Sequence, residues 1–262
     1  DGFSIEAERI SIGHGDNWAI TWGDDDKQYS FLTDGRGFGT HKKDVSISAV
    51  VIEGDPPDVS GKDIESPSGT FGKDMAKPGP SGPKVCGLVM IKGVLYAWVR
   101  NINLPSTPRG TGSRLMYSKD RGVNWTWADW NWPNIGYPTW LNAGKNYADA
   151  QDGFAYFISP DGPSAYADYD TMLMGRVPLE HILTKEKYTF FAGTDESGEA
   201  RWGTFEDRKP FFENEEGSFR PDIVYNAGLK KYFLSSAVEA EDCRWFKGKN
   251  KENPGRRKHL GI

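Results

Sequence analysis

Four times along this chain an apolar strand, a tight turn and a second apolar strand follow one another, with a longer connection to a third strand. The units start near Trp18, Val85, Tyr137 and Arg220. Repeated small antiparallel sheets predict an all-β fold, a β-propeller of four-stranded antiparallel blades. A β-sandwich also gives many short strands and is the alternative. The units read as copies of one sheet rather than as one Greek key, which favours the propeller. Blades are expected at about 14–55, 84–132 and 136–212, with a fourth, incomplete, from about 218, in a single domain spanning 1–262. Apolar residues are only 37 %, but aromatics reach 13 % with ten Trp, so an aromatic core on short strands is feasible. The 31 Gly and 16 Pro suit a chain of many turns.

The clearest unit is HGDNWAITWGDDDKQYSFLTDGRGFG, His14 to Gly39. Trp18, Ile20 and Trp22 alternate, Gly23 to Asp26 is a polar turn, and Tyr29, Phe31 and Leu32 resume the apolar pattern. Asp16 precedes the first strand and Asp34 follows the second. A hairpin sets those two ends side by side at one rim of a sheet. Two carboxylates so placed are the minimum kit for glycosidic cleavage, one protonating the leaving oxygen and the other activating water or attacking the sugar. Turn chemistry is the competing use, with Asp16 as a cap and Asp34-Gly35 as a turn dipeptide.

Further along, Val45 to Ile52 is a β-branched strand. Gly54 to Lys84, rich in Gly, Pro, Ser and Asp, reads as a long surface excursion with no core element. Lys92-Gly93 turns between two apolar strands, and Arg100 ends the second, in the same topological place as Asp34. Ser118, Asp120, Gly122 and Trp125 fit the pattern S-x-D-x-G-x-x-W. There Asp and Gly close a tight turn by side-chain-to-backbone hydrogen bonds, and Trp tucks beneath it. Trp127, Trp130 and Trp132 are expected to continue the next strand. Pro178 to Phe191 reads as a short helix and an exit strand. Arg220 to Ser236 reads as strand, turn, strand, and His259 to Ile262 as the beginning of another.

The stretch from Ser118 to Trp125 is similar to the Asp-box of sialidases and other propeller glycosidases. More of the chain resembles an uncharacterised family of secreted, glycosidase-like five-bladed propellers, related to arabinan-cleaving enzymes. The pieces that carry the resemblance are GDNWAITWGDDDKQYSFLTDGRGFG, EGDPP, GVLYAWVRN, the Asp-box, LNAGKNY, the MGRVP-to-FFAG segment and RPDIVYNAGLKKYFL. In such relatives acidic residues at the inner rim of the first blade do the chemistry, and Asp16 and Asp34 match them. The resemblance also implies a further stretch after Ile262 that completes blade four and supplies blade five.

These readings lead to a secreted or periplasmic glycoside hydrolase acting on a polysaccharide or oligosaccharide, a monomer when complete. The acid–base pair is Asp16 and Asp34. Trp18, Phe38 and Tyr147 are candidates to stack on sugar faces. Arg100, Asn146, Arg220 and Tyr225 are candidate polar contacts, the arginines binding hydroxyls or, in an acidic glycan, a carboxylate. Core packing competes for the aromatics and inter-blade ion pairing for the arginines. A non-catalytic carbohydrate-binding propeller is one alternative. A polysaccharide lyase using Tyr147 or His14 as base is the other, disfavoured by the paired aspartates and by only four His. No cofactor and no metal are expected. Asp24 to Asp26 offer calcium ligands, but three adjacent acids cannot all face one ion. A net charge of −5 argues against nucleic acid as partner. No segment is long and apolar enough to span a membrane.

Overall fold

The structure, a computed structural model, describes residues 11–65, 82–105, 107–167, 169–239 and 258–261. Its backbone is almost entirely β. The first sheet is a meander of β1 (His14–Trp22), β2 (Gln28–Gly37), β3 (Val45–Glu53) and β4 (Ser60–Asp63). The second repeats it with β5 (Lys84–Ile91), β6 (Val94–Arg100), β7 (Ser113–Ser118) and β8 (Thr126–Trp127). A third meander runs through β9 (Thr139–Ala143), β10 (Phe154–Pro160), β11 (Tyr169–Pro178), β12 (Thr189–Thr194) and β13 (Ala200–Gly203). Then come β14 (Phe212–Asn226), β15 (Lys231–Glu239) and β16 (Lys258–Gly261).

The third and fourth units are not separate sheets. The long β14 pairs with β11 through Phe212 and Glu213, then runs parallel to β9, Ile223 opposite Leu141. The result is one eight-stranded sheet in the order β13-β12-β11-β10-β9-β14-β15-β16.

Each unit begins with an inner strand, and the inner strands lie together. The Thr21 hydroxyl of β1 donates to Asn142 Oδ1 (2.7 Å) and accepts from the Met90 N–H of β5 (3.0 Å). Asn142 Nδ2 in turn donates to the Leu88 and Ile20 carbonyls. These bonds put residues 20–21, 88–90 and 142 at one level, and Gly87 abuts Thr139 and Asn17 bonds Arg220 at the level before it; β14 is parallel to β9, so β1, β5, β9 and the second half of β14 all run the same way.

Packed layers fill the wedges between units. Phe31, Val51, Leu88, Val99 and Trp125 belong to the layer between the first and second sheets. Trp98, stacked on Trp140 at 5.4 Å, leads an aromatic layer with Phe157, Tyr188 and Phe190 between the second and third. A small cluster of Leu141, Ile158, Met172 and Ile223 lies where β9, β10, β11 and β14 meet.

Several expectations need correction. Ile20 and Trp22 are exposed, at 42 % and 43 %, while Thr21 between them is buried, so their apolar alternation does not mark the core face. An inner strand is packed on its neighbours through the other face, and small polar Thr21 serves there because it can bond across strands. The excursion after Gly54 contains β4, which completes the first sheet although its Ser60-Gly61-Lys62-Asp63 carries no apolar side chain. Residues 66–81 of that excursion, and Cys243, lie outside the described residues. The helix expected after Pro178 is two short 3-10 turns, Leu179–His181 and Lys185–Lys187. Strand β8 stops at Trp127; Trp130 and Trp132 lie beyond it and pack with Tyr188 in the aromatic layer.

The turn from Ser118 to Trp125 closes at the outer end of the second sheet. Gly122 N–H donates to Ser118 Oγ, and Asn124 N–H to Asp120 Oδ1, both at 2.8 Å. Trp125 Nε1 donates to the Gly122 carbonyl and its ring meets Phe31 edge-on at 5.0 Å.

Candidate functional site

Because the inner strands run in parallel, their first residues gather at one rim and their last at the other. Antiparallel second strands end where inner strands begin. The first rim therefore collects Asp16 and Asp34 from the first sheet, Lys84 and Arg100 from the second, Tyr137 just before β9, and Arg220 and Asp222 from β14.

Asp16 is exposed and lies opposite Thr33, whose hydroxyl donates to Asp16 Oδ1 at 2.6 Å. Asn17 Nδ2 donates to the same oxygen at 2.7 Å. The hairpin pinches here. A Cβ on Gly35 would collide with the β1 backbone at His14 and Gly15, so the residue after Asp34 has to be Gly. Asp34 itself has φ +47°, in the left-handed region. Its Oδ1 lies 2.6 Å from Lys84 Nζ, a side chain only 1 % exposed that also bonds Ser46 Oγ at 3.1 Å. Asp34 is thus the counter-charge of a buried lysine as well as a rim carboxylate.

A cavity of about 160 Å³ opens between the inner strands below this rim. Its walls include Asn17, Trp18 and Ile20 of β1, Cys86 and Leu88 of β5, Tyr137, Thr139 and Asn142, and Arg220, Pro221 and Asp222. It is smaller than the roughly 300–1,000 Å³ of pockets that enclose a drug-sized ligand, so it suits the end of a ligand rather than a long chain.

Asp222 was not among the candidates read from the sequence. It is exposed and lines the cavity. Loss of bulk water pushes its carboxyl above the ordinary 3.8, against the opposing bonds from its own neighbour's Ile223 N–H and from Thr139. The tripeptide Arg220-Pro221-Asp222 opens the fourth unit as Asp16-Asn17-Trp18 opens the first, and that equivalence is the signal in the sequence.

Arg100 is 1 % exposed and its Nε and Nη1 have no acceptor. Its guanidinium carbon lies 5.4 Å from the Tyr137 ring centroid and 5.3 Å from that of Tyr166. Arg220 is half-buried, bonds Asn17 Oδ1 at 3.1 Å, and leaves its Nε without a partner. Burial and the neighbouring Arg100 charge both push Arg220 down from 12.5. Each unmet buried donor costs about 1–3 kcal/mol. Burial dominates at Tyr137, whose hydroxyl rises to about 12 despite the two arginines, and the Cys86 thiol rises likewise to about 12. Neither is a base or a nucleophile at neutral pH.

The other sequence candidates lie elsewhere. Trp18 is a cavity wall, its Nε1 bonded to the Gly15 carbonyl. Phe38 meets Trp18 edge-on at 5.8 Å but packs against Gly61 of β4, away from the cavity. Asn146, Tyr147 and Tyr225 sit at the opposite rim, because Asn146 and Tyr147 follow β9 and Tyr225 lies at the end of β14 rather than at the start of an inner strand. Asn146 Oδ1 accepts from the Gly93 N–H of the β5–β6 turn at 2.8 Å. Tyr147 is buried, and burial drives its hydroxyl far above its ordinary value, which removes it as a base. Tyr225 stacks near Tyr232 at 4.8 Å. His14 is on the Asp16 rim and accepts from the Arg36 N–H at 3.3 Å.

The three acids of the Asp24 to Asp26 turn are engaged by basic side chains. Asp24 pairs with Arg121, Asp25 with Arg121 and the Tyr29 hydroxyl, and Asp26 with Lys145. Among the described residues no cluster of three or more metal-ligating side chains occurs, and no helix is long and apolar enough to cross a membrane.

No protein-family model matches this chain, and no curated protein does. Among solved structures it is similar to a Bacteroides ovatus protein described as a hydrolase, with TM-score 0.49, 12% identity, and 90% of this chain and 65% of that one covered. An alpha-L-arabinofuranosidase from Lactobacillus brevis gives 0.47, 12%, 89% and 67%. A GH43_1 enzyme from Xanthomonas citri gives 0.44, 11%, 89% and 69%. The chain spans about two thirds of the length of these structures. At such scores and identities no residue role carries over from them.

Proposed function

We propose that this rim is the site of a glycoside hydrolase, acting outside the cell on a polysaccharide or oligosaccharide, in a propeller-type fold. The observation that carries the reading is a cavity with an aromatic wall, several hydrogen-bonding side chains and the Asp222 carboxylate, below a rim that bears Asp16 and Asp34. Sugars ask for that combination, polar contacts for hydroxyls and a flat apolar face for the ring.

Asp16 and Asp34 are the acid–base pair in the first form of this reading. Asp16, exposed and oriented by Thr33 and Asn17, stands where it can meet a glycosidic oxygen or an attacking water. A second form replaces Asp34 by Asp222. It is favoured by the Asp34–Lys84 ion pair, which occupies one oxygen of Asp34, and by the place of Asp222 on the cavity wall with its carboxyl shifted upward. A carboxyl that keeps its proton to higher pH is the better proton donor.

Turnover of three variants tests both forms. Asp16→Asn is expected to lower kcat by about 10²- to 10⁴-fold, the range for losing a general acid or base. A comparable loss in Asp222→Asn, with Asp34→Asn measured in a background where Lys84 is also replaced, selects the second form. Full activity of Asp16→Asn removes the hairpin from the mechanism in either form.

A further inference from the structure

We propose that Arg220, backed by the buried charge of Arg100, forms a subsite for the carboxylate of an acidic sugar, a uronate unit of the glycan. The proposal rests on the reading of this rim as a glycan site and narrows its substrate class.

The two guanidinium groups arrive from different sheets, Arg100 from the end of β6 and Arg220 from β14, and meet around one ring. Tyr166 lies 5.3 Å from the first and 5.8 Å from the second, centroid to guanidinium carbon. Its hydroxyl accepts from Asn101 Nδ2 at 2.9 Å, which fixes the ring in that place. Two like charges held together away from water repel, and neither has an ion-pair partner among the described residues. Elsewhere the chain does supply acids to its arginines: Arg208 meets Asp161 at 2.9 Å and Arg121 meets Asp24 at 3.2 Å. At the rim three guanidinium N–H groups, Arg100 Nε and Nη1 and Arg220 Nε, remain without an acceptor. Of the two, Arg220 borders the cavity, whereas Arg100 is buried and does not.

A planar fork of donors matches the two oxygens of a carboxylate. A neutral hydroxyl would satisfy one donor and leave in place the repulsion between the two arginines, which Asp16 offsets only in part at Arg220. Tyrosine faces hold the guanidinium planes without competing for their donors. The ligand part that fits is therefore anionic, planar and bidentate, and it enters from the cavity side where Asn17 and Trp18 can meet the sugar ring.

Titration calorimetry on the 262-residue chain tests this with galacturonate, glucuronate, galactose and acetate. The expected result is binding of one uronate at least about tenfold tighter than galactose and than acetate, a gap of about 1.4 kcal/mol. Arg220→Gln is expected to remove that advantage, and the uronate methyl ester, which leaves the protein unaltered, should bind like galactose. Equal binding of galactose, of the ester, or of the uronate to Arg220→Gln overturns the proposal, as does no binding of either uronate. Acetate binding as tightly as a uronate overturns the sugar part of it. Cleavage of a neutral glycan without uronate binding contradicts the subsite alone; uronate binding without cleavage of any glycan contradicts the hydrolase alone.

Discussion

Lys84 and Asp34 illustrate how a rim residue can serve structure and chemistry together. The ammonium is 1 % exposed and the carboxylate 26 %, so replacing either partner strands the other in a site with little water. A purely catalytic Asp34 could be replaced by Asn with folding intact; the ion pair argues otherwise. Breaking a buried pair costs about 3–5 kcal/mol, and the partial exposure of Asp34 places this pair at the lower end. Asp34→Asn and Lys84→Met are each expected to lose about 2–3 kcal/mol in urea unfolding, and the double variant less than their sum. Additive losses would mean that the pair contributes nothing. Asp222 gives a pH signature. Its folded carboxyl titrates above 3.8, so the folded state binds more protons than the unfolded one in that interval. Stability contributed by this group is then present at low pH and declines as pH rises through the shifted value. The melting temperature of Asp222→Asn relative to the parent is expected to climb as pH rises from below 3.8 into the weakly acidic range. A constant difference across that range would show that Asp222 is not shifted.

At the scale of elements, the close approach of inner strands decides where the rim residues stand. Gly87 lies on β5 against the entry to β9. A Cβ there would come within 2.7 Å of Thr139 Cα and 2.9 Å of the Pro138 carbonyl oxygen. Backbone on the opposing side cannot rotate away, so Gly87→Ala must part the second and third sheets. A loss of about 1–3 kcal/mol is expected, the usual cost of overpacking, read as a lower urea midpoint; an unchanged midpoint would show that the strands can separate freely. Hairpins and their turns were legible in the sequence because alternation and turn residues are local signals: Lys92-Gly93 and the polar turn at Gly23 to Asp26 fall between paired strands. What local pattern does not encode is which strand is inner. Asn146, Tyr147 and Tyr225 looked like partners of Asp16 because they stand beside inner strands in sequence. Asn146 and Tyr147 lie past the end of β9 and Tyr225 at the last residues of β14, and strand direction puts them at the far rim. Strand β4 escaped notice for the opposite reason, having no apolar residue to mark it.

For the whole molecule, the parallel inner strands are what turn a series of hairpins into a site. They bring Asp16, Arg100, Arg220 and Asp222, residues far apart in sequence, onto one rim. Three of these, Asp16 and the arginines, were legible as ends of strands, and Asp222 was singled out once β14 was seen to run parallel to β9. The first sheet and the fourth unit, which bear the carboxyl groups, also carry exposed apolar side chains, Ile20 and Trp22 on one and Val224 and Phe233 on the other. The central claim is that this rim hydrolyses glycosidic bonds. The most direct measurement is a screen of the protein against a panel of neutral and acidic polysaccharides, with reducing ends and ultraviolet absorbance read together. New reducing ends without absorbance, lost in Asp16→Asn, is the expected result. Products that absorb in the ultraviolet would indicate elimination in place of hydrolysis, and binding of a glycan with no new ends would make the protein a carbohydrate-binding module; either would contradict the claim.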